Sequence, residues 1–223
     1  VTTTFTTRKV RLKDNNVEDK FEYLNNKAGE IAQKAKKLHP NILIAGGLPP
    51  QYLTYEADSR TDKEIRDNFY SQAKILNSYV DFFYFDVLSS VKEFEIAIDC
   101  IKDFNKPYLI GAHISEGTSL PSGEKISKII TDIKHDKLLG IILSCISPEN
   151  YELNFNEIKN LGVPFGFKLN AFVKTNPKPN YTGAYKKSKT GNPNEFLGQR
   201  KDLTPDKMAK IAKKFKDAGA TIL

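Results

Sequence analysis

The chain has two cysteines, Cys100 and Cys145, and only one of them stands where a thiol can do chemistry. Cys145 follows the apolar run Leu138-Leu139-Gly140-Ile141-Ile142-Leu143 and precedes Ile146-Ser147-Pro148, where a helix opens. This places a sulfur at the carboxyl end of a core strand, the face on which parallel α/β sheets and barrels assemble their sites. Taken alone, a cysteine reads equally as a small buried hydrophobe. That is the reading for Cys100, which falls in a helix among Ala97, Ile101 and Phe104.

Other polar residues end other apolar runs. Asp86 closes Phe82-Phe83-Tyr84-Phe85, where a carboxylate suits a substrate amine or backbone donors. Ser144 precedes the cysteine, Asn170 follows Phe165 to Leu169, and Gly46-Gly47 can turn the chain or let a ligand approach the backbone. Alternation puts Gly166, Lys168 and Asn170 on one face, and an inward lysine can form a Schiff base if desolvation lowers its pKa. His113 ends a run beside a Gly-Thr loop and reads as a hydrogen-bonded pocket histidine. His39 and His135 fall in helix-to-strand turns on the opposite face and are given no role.

These residues need a frame, and the hydrophobic period supplies one. Strand-length apolar runs alternate with amphipathic helical stretches, the pattern of parallel βα units. The predicted strands are Val1–Phe5, Ile42–Ala45, Val80–Phe85, Pro107–Ile114, Leu138–Ser144, Val163–Leu169 and Ala220–Leu223. Between them the period predicts helices over Glu18–Lys37, from Thr61 to Leu76, from Ser90 through Ile101, and over Gly123–Ile133, Pro148–Leu161 and from Thr204-Pro205 to Gly219. Thr61 with Glu64 forms a capping box, and Pro at helix starts with Gly past the last helix is the expected punctuation. Seven evenly spaced strands, with no dinucleotide glycine pattern after the first, favour a barrel over a doubly wound sheet.

At 223 residues and 39% hydrophobic content the chain can bury a substantial core, read as one domain over 1–223. The formal charge of +7 is local: residues 168–216 hold 13 Lys or Arg against 3 acids. The lysine-rich helix of that segment lacks the interleaved aromatics of a nucleic-acid stacking platform, so solvated lysines on a helix surface are the simpler reading. No apolar stretch reaches the roughly 18 residues that span a bilayer, and the start has no secretion signal. Two cysteines give no disulfide framework, which points to the cytoplasm. The absent initiator Met suggests a fragment or a processed chain.

Six motifs stand at predicted strand ends: Thr2-Thr3-Thr4-Phe5, Ala45-Gly46-Gly47-Leu48, Phe85-Asp86, the loop Glu116 to Gly123, Ser144-Cys145-Ile146-Ser147-Pro148 and Asn170-Ala171. In this order and spacing the chain resembles the homocysteine S-methyltransferase family, which includes betaine-dependent enzymes and the homocysteine domain of cobalamin-dependent methionine synthase. The resemblance implies an α/β fold, a (β/α)8 TIM barrel that is incomplete here, lacking the first strand and a final Gly-Gly-Cys-Cys turn. It implies zinc held by three cysteine sulfurs, with Cys145 matching the first and the other two expected just beyond Leu223. Zinc ligation ionises an incoming thiol of pKa ~8.5, and three thiolates with one open position is a catalytic zinc arrangement.

The implied reaction moves a methyl group from a sulfonium, quaternary ammonium or methyl-cobalamin donor to homocysteine, giving methionine. Implied substrate contacts are Asp86, where similar proteins carry glutamate for the amine, with Tyr52, Gly46, Gly47, Ser144 and Asn170. Thr3 and Ser144 stand where members usually have asparagine. Donor selection is expected in the loop Asn176 to Gln199, and the chain by itself, with one ligand of three, is expected to be inactive. Two alternatives remain: a Schiff-base lyase or aldolase using Lys168, and a noncatalytic module docking on an acidic partner through Lys174 to Lys216.

Overall fold

Five of the apolar runs become neighbouring strands in a computed structural model that describes residues 1–133, 136–175 and 197–223. His135 and most of the loop assigned to donor selection lie outside the described residues, as does much of the basic segment. The strands are Ala45–Leu48 (β1), Phe82–Leu88 (β2), Tyr108–Ala112 (β3), Leu138–Ile146 (β4) and Phe165–Leu169 (β5). All pair in parallel in the order β1-β2-β3-β4-β5. Helices connect them: Lys9–Lys13 (α1) and Phe21–Leu38 (α2) before β1, then Asp62–Leu76 (α3), Val91–Ile101 (α4), Ser127–Asp132 (α5), Pro148–Lys159 (α6) and Pro205–Asp217 (α7). A parallel sheet wound in sequence order with a helix after each strand is the architecture of a partial (β/α)8 barrel.

The helix starts follow the predicted chemistry. Thr61 and Glu64 cap α3 reciprocally, and Ser90, Ser147 and Thr204 each accept from a backbone N–H three residues on, at the starts of α4, α6 and α7. Helix α1 is an addition to the predicted elements, a single turn whose one buried residue is Leu12.

Three predicted strands are corrected. The first core strand runs over Ala45–Leu48 and not Ile42–Ala45, with Ile42 and Leu43 left exposed outside the ladder. Val1–Phe5 is not a strand: its ladder is replaced by threonine hydroxyls, with Thr2 N–H donating to the Ala45 carbonyl (2.9 Å), Thr2 Oγ1 accepting from Gly47 N–H (2.9 Å) and Thr4 Oγ1 donating to the Gly47 carbonyl (2.6 Å). Ala220–Leu223 makes one parallel bridge, Ile222 with Gly166, fixed by Phe167 N–H to the Ile222 carbonyl at 3.0 Å.

The two faces of the sheet are chemically distinct. Leu48, Phe83, Phe85, Ile110, Ile141, Leu143, Phe165 and Phe167 merge with Ile65, Phe69, Phe94, Ala97, Ile158 and Phe215 of the helices in the main core. The opposite face gathers Ala45, Phe82, Tyr84, Leu109, Ile142 and Ile222 around a cavity of about 160 Å³ that Lys168 also lines. Alternation along each strand thus sends one set to the helices and the other to the inside of the curved sheet.

Gly166 is required by the approach of the last segment, because a Cβ there would lie 1.7 Å from the Ile222 carbonyl oxygen. Gly166→Ala is expected to cost about 3 kcal/mol and lower the melting temperature by roughly 6–12 °C. Gly46→Ala, whose Cβ meets only side chains, the nearest at 3.1 Å, should cost less than half as much. Thermal melts followed by circular dichroism compare the two.

Candidate active site

Backbone irregularities at the carboxyl ends of β2 and β4 build the site. The register shifts between Phe85 and Leu88 and again between Ser144 and Ile146, where Val87 and Cys145 adopt φ of 68° and 57°. Tyr55, in the loop after β1, has φ 70°. Left-handed backbone at non-glycine residues costs of order 1–3 kcal/mol each and persists only where packing enforces it. That packing is local: Tyr55, Val87 and Leu197 form a small cluster with Phe5, Cys145 and Phe172 over the strand ends. The bulge at 145 lets Ser144 and Cys145 serve different neighbours.

The thiol of Cys145 lies 3.0 Å from the Tyr55 hydroxyl, and Asn170 Nδ2 approaches at 3.7 Å. Burial pushes the Cys145 thiol up from its ordinary value, while the Tyr55 hydrogen bond, the Lys168 charge and Asn170 favour the thiolate and Asp86 opposes it. Asn170 is itself fixed by Phe172 N–H, which donates to its Oδ1 at 2.9 Å.

Beside the thiol, Asp86 is 8% exposed. Lys168 Nζ donates to both its oxygens at 2.5 and 2.7 Å, and the Tyr84 hydroxyl donates to Oδ1 at 2.7 Å. Tyr84 also bonds Ser144 Oγ at 2.6 Å. The Tyr84 ring reaches across because Gly111 has no side chain: a Cβ there would lie 2.7 Å from the ring and 2.6 Å from Ser144 Oγ. Burial and the Asp86 charge hold the Tyr84 hydroxyl well above its ordinary range, so it acts as a donor. The amine that Asp86 meets in the structure is that of Lys168.

His113 is fully buried between Ser115 Oγ (2.7 Å from Nε2) and the Ser144 carbonyl (3.0 Å from Nδ1), with its ring 4.6 Å from that of Tyr55. Desolvation lowers it to about 4, so it is neutral. This matches the pocket histidine expected from the sequence. Glu93, at the start of α4, accepts from Ser89 N–H and the Ser90 hydroxyl, and burial pushes it up to about 7 with the Asp58 charge adding to the rise.

The other sequence candidates are placed as follows. The Tyr52 ring lies against the Arg60 guanidinium at 4.8 Å, and Tyr55, three residues on, is the tyrosine bonded to Cys145. The close approaches at Gly46 and Gly47 are made by the protein itself: Val80 and Phe83 for the first, Val1, Thr2 and Thr4 for the second. Thr3 is exposed while Thr2 and Thr4 are buried. Cys100 is a packing residue whose thiol burial raises to about 11. Sequence reasoning missed Tyr55 and Tyr84; the glycine at 111, opposite a run of aromatics, was the available signal for the second.

A zinc ion needs a set of donors, and among the described residues no group of three or more His, Cys, Asp and Glu could hold a metal. Cys145 is a suitable single donor, but Tyr55 and Asn170 at its sulfur do not complete a zinc site. Next to Tyr55 opens a cavity of about 530 Å³ walled by Glu56, Ser115, Glu116, Leu120 and Lys174, much of it from the Glu116 to Gly123 motif. This cavity can seat a small polar molecule against the Tyr55 phenol, whose hydroxyl bonds the Cys145 thiol; Lys168 lines the separate inner-face cavity.

The family model described as homocysteine S-methyltransferase matches residues 1–223. Among solved structures, the metallated form of the homocysteine methyltransferase MmuM from Escherichia coli superposes with a TM-score of 0.70 at 15% identity, covering 96% of this chain and 78% of that one. Its oxidized form superposes at 0.61 with 13% identity, covering 75% and 73%. At such identities the likeness establishes a shared fold. No curated protein matches the sequence.

Two outcomes follow from the site's hydrogen bonds and burial. Tyr55→Phe removes a donor that favours the thiolate, so Cys145 should react about tenfold more slowly with a thiol reagent near pH 8, measured in a Cys100→Ser background. For stability, neutral His113 contributes above pH 6.5 and loses this as pH falls towards 4, whereas Glu93 contributes below pH 4.5 and loses this as pH rises through 7. The two slopes oppose. Glu93→Gln should therefore gain up to about 3 kcal/mol relative to the wild type between pH 4.5 and 8, read from urea unfolding at each pH.

Proposed function

The chain belongs to the homocysteine S-methyltransferase family, and from that premise we propose that it transfers a methyl group from a sulfonium, quaternary ammonium or methyl-cobalamin donor to the thiolate of homocysteine, giving methionine. The observation that carries this reading is Cys145, held in a left-handed bulge at the end of β4 with its sulfur on the Tyr55 hydroxyl and beside the Asp86–Lys168 pair. Bulged strand ends that spend backbone strain to aim a thiol mark a working site more readily than a packing position.

In the transfer, the acceptor thiol loses its proton to water and its sulfur attacks the methyl carbon. A carbon–sulfur bond forms as the donor's bond to the methyl group breaks, and for an onium donor the electron pair leaves with the neutral thioether or amine. No general base is needed at the carbon. The chain's own residues bind and orient: the cavity beside Tyr55 offers Glu56 and Glu116 to a cationic donor, and the polar floor of Tyr84, Asp86, Lys168 and Ser144 faces the acceptor. In this reading Cys145 would be the one described sulfur ligand of a zinc ion, which would supply ionisation of the acceptor thiol.

Small-molecule substrates are the only partners this reading requires. Two free cysteines suit a reducing compartment, and we place the protein in the cytoplasm. Among the described residues no helix is long and apolar enough to cross a membrane.

The test is Cys145→Ser. The full-length protein, with the further cysteine ligands that the family resemblance implies, is expected to bind about one zinc per chain and to form methionine from homocysteine and a sulfonium donor, and its Cys145→Ser variant to lose both, measured by elemental analysis and by chromatography of the product. Undiminished methionine formation by the serine variant would end the proposal.

A further inference from the structure

Resting on that reading of the site as a thiol methyltransferase, we infer that the acceptor is recognised by its carboxylate at Lys168, and that Asp86 serves as the counter-ion of Lys168 and does not bind the acceptor's amine.

Four observations carry this. Asp86 is nearly buried and already committed: Oδ1 accepts from both Lys168 and Tyr84, and Oδ2 accepts from Lys168. An incoming ammonium would have to displace a lysine that belongs to the same chain and is therefore always present at the site. Lys168 has capacity to spare: an ammonium carries three donors, two of them point at Asp86, and its side chain is 44% exposed against 12% for Asp86. The cation is thus the member of the pair that a ligand meets. Finally, Lys168 is opposite Ser144 in register, the residue before Cys145, and its charge is felt at the Cys145 sulfur. A short acceptor with a thiol at one end and an anion at the other would present these two groups to Cys145 and Lys168.

The rest of the floor agrees in polarity. Tyr84 faces Asp86 as a donor, and His113 is neutral and engaged with Ser115 and Ser144. Among these residues Asp86 is the one anion, and Lys168 covers it. On this floor an amine therefore finds no uncovered anion, whereas a carboxylate finds a charge-assisted donor.

Binding calorimetry on the whole protein with three thiols tests the assignment: homocysteine, its desamino analogue mercaptobutanoate, and its descarboxy analogue mercaptopropylamine. Mercaptobutanoate should bind within about threefold of homocysteine, and mercaptopropylamine at least about tenfold more weakly, the worth of one charge-assisted hydrogen bond. Lys168→Met should weaken both carboxylate thiols by about tenfold or more. Because that change strands a buried carboxylate, Asp86→Asn provides a second variant. It keeps one amide oxygen as acceptor for Tyr84 and Lys168, and should change the affinities of homocysteine and mercaptobutanoate by the same factor, to within about threefold.

If mercaptopropylamine binds the wild type as tightly as homocysteine, or if Asp86→Asn weakens homocysteine about tenfold while sparing mercaptobutanoate, the amine sits on Asp86 and this inference is overturned with the methyltransferase reading intact. If none of the three thiols binds the wild type, both fall together.

Discussion

A carboxylate that is almost out of water must be paired, and the pairing of Asp86 organises the site around it. An unpaired carboxylate at that depth would cost several kcal/mol, and the structure meets the demand with two partners from different places in the chain. Lys168 comes from β5, three strands away in the sheet order, and Tyr84 from the same face of β2. Tyr84 in turn engages Ser144 of β4 across the gap left by Gly111. One buried charge thus links β2, β4 and β5 on the inner face, where apolar packing by itself leaves an open cavity. Removing either partner would leave a charge in a poor dielectric, so the three residues stand or fall as a unit.

The second constraint is conformational. Three non-glycine residues in left-handed backbone, one of them β-branched, converge on the same small patch over the strand ends. Helix caps and a continuous outer core supply the stability against which that strain is held, and they do so with ordinary means: threonine and serine caps, leucine and phenylalanine packing. The division of labour is spatial. The helix-facing side of the sheet is regular and apolar, and irregular backbone and polar side chains gather at the carboxyl ends. Glu93 and His113, buried with opposite preferences for a proton, lie at the border between these regions.

Much of the architecture was legible before any coordinates. The alternation of apolar runs and capped amphipathic helices specified parallel βα units, and each of the five strands lies within a few residues of where the period put it. The terminal strands were not legible. Val1–Phe5 has β-favouring residues, but its threonine hydroxyls bond the backbone of Gly47 in place of a regular ladder, and Ile222 manages a single bridge. At the site, the position of Cys145 at a strand end followed from the run of hydrophobic residues before it, as did the packing role of Cys100. Tyr52 drew attention because of its place in the loop after β1, yet the left-handed turn at Tyr55 decides which ring reaches the sulfur.

The sequence by itself determined the order of strands and helices, the face on which chemistry collects, and the family through motifs at fixed strand ends. These are set by local periodicity, capping and spacing along the chain. Only the tertiary structure decided that the amine on Asp86 is Lys168, that Tyr55 is hydrogen-bonded to Cys145, and that Gly46 and Gly47 are approached by the protein itself. Those contacts join residues tens of positions apart, and each depends on a register shift or a missing side chain in a third element. Periodicity along one strand carries no information about where a bulge will turn its last residue, because that is settled by what packs against it.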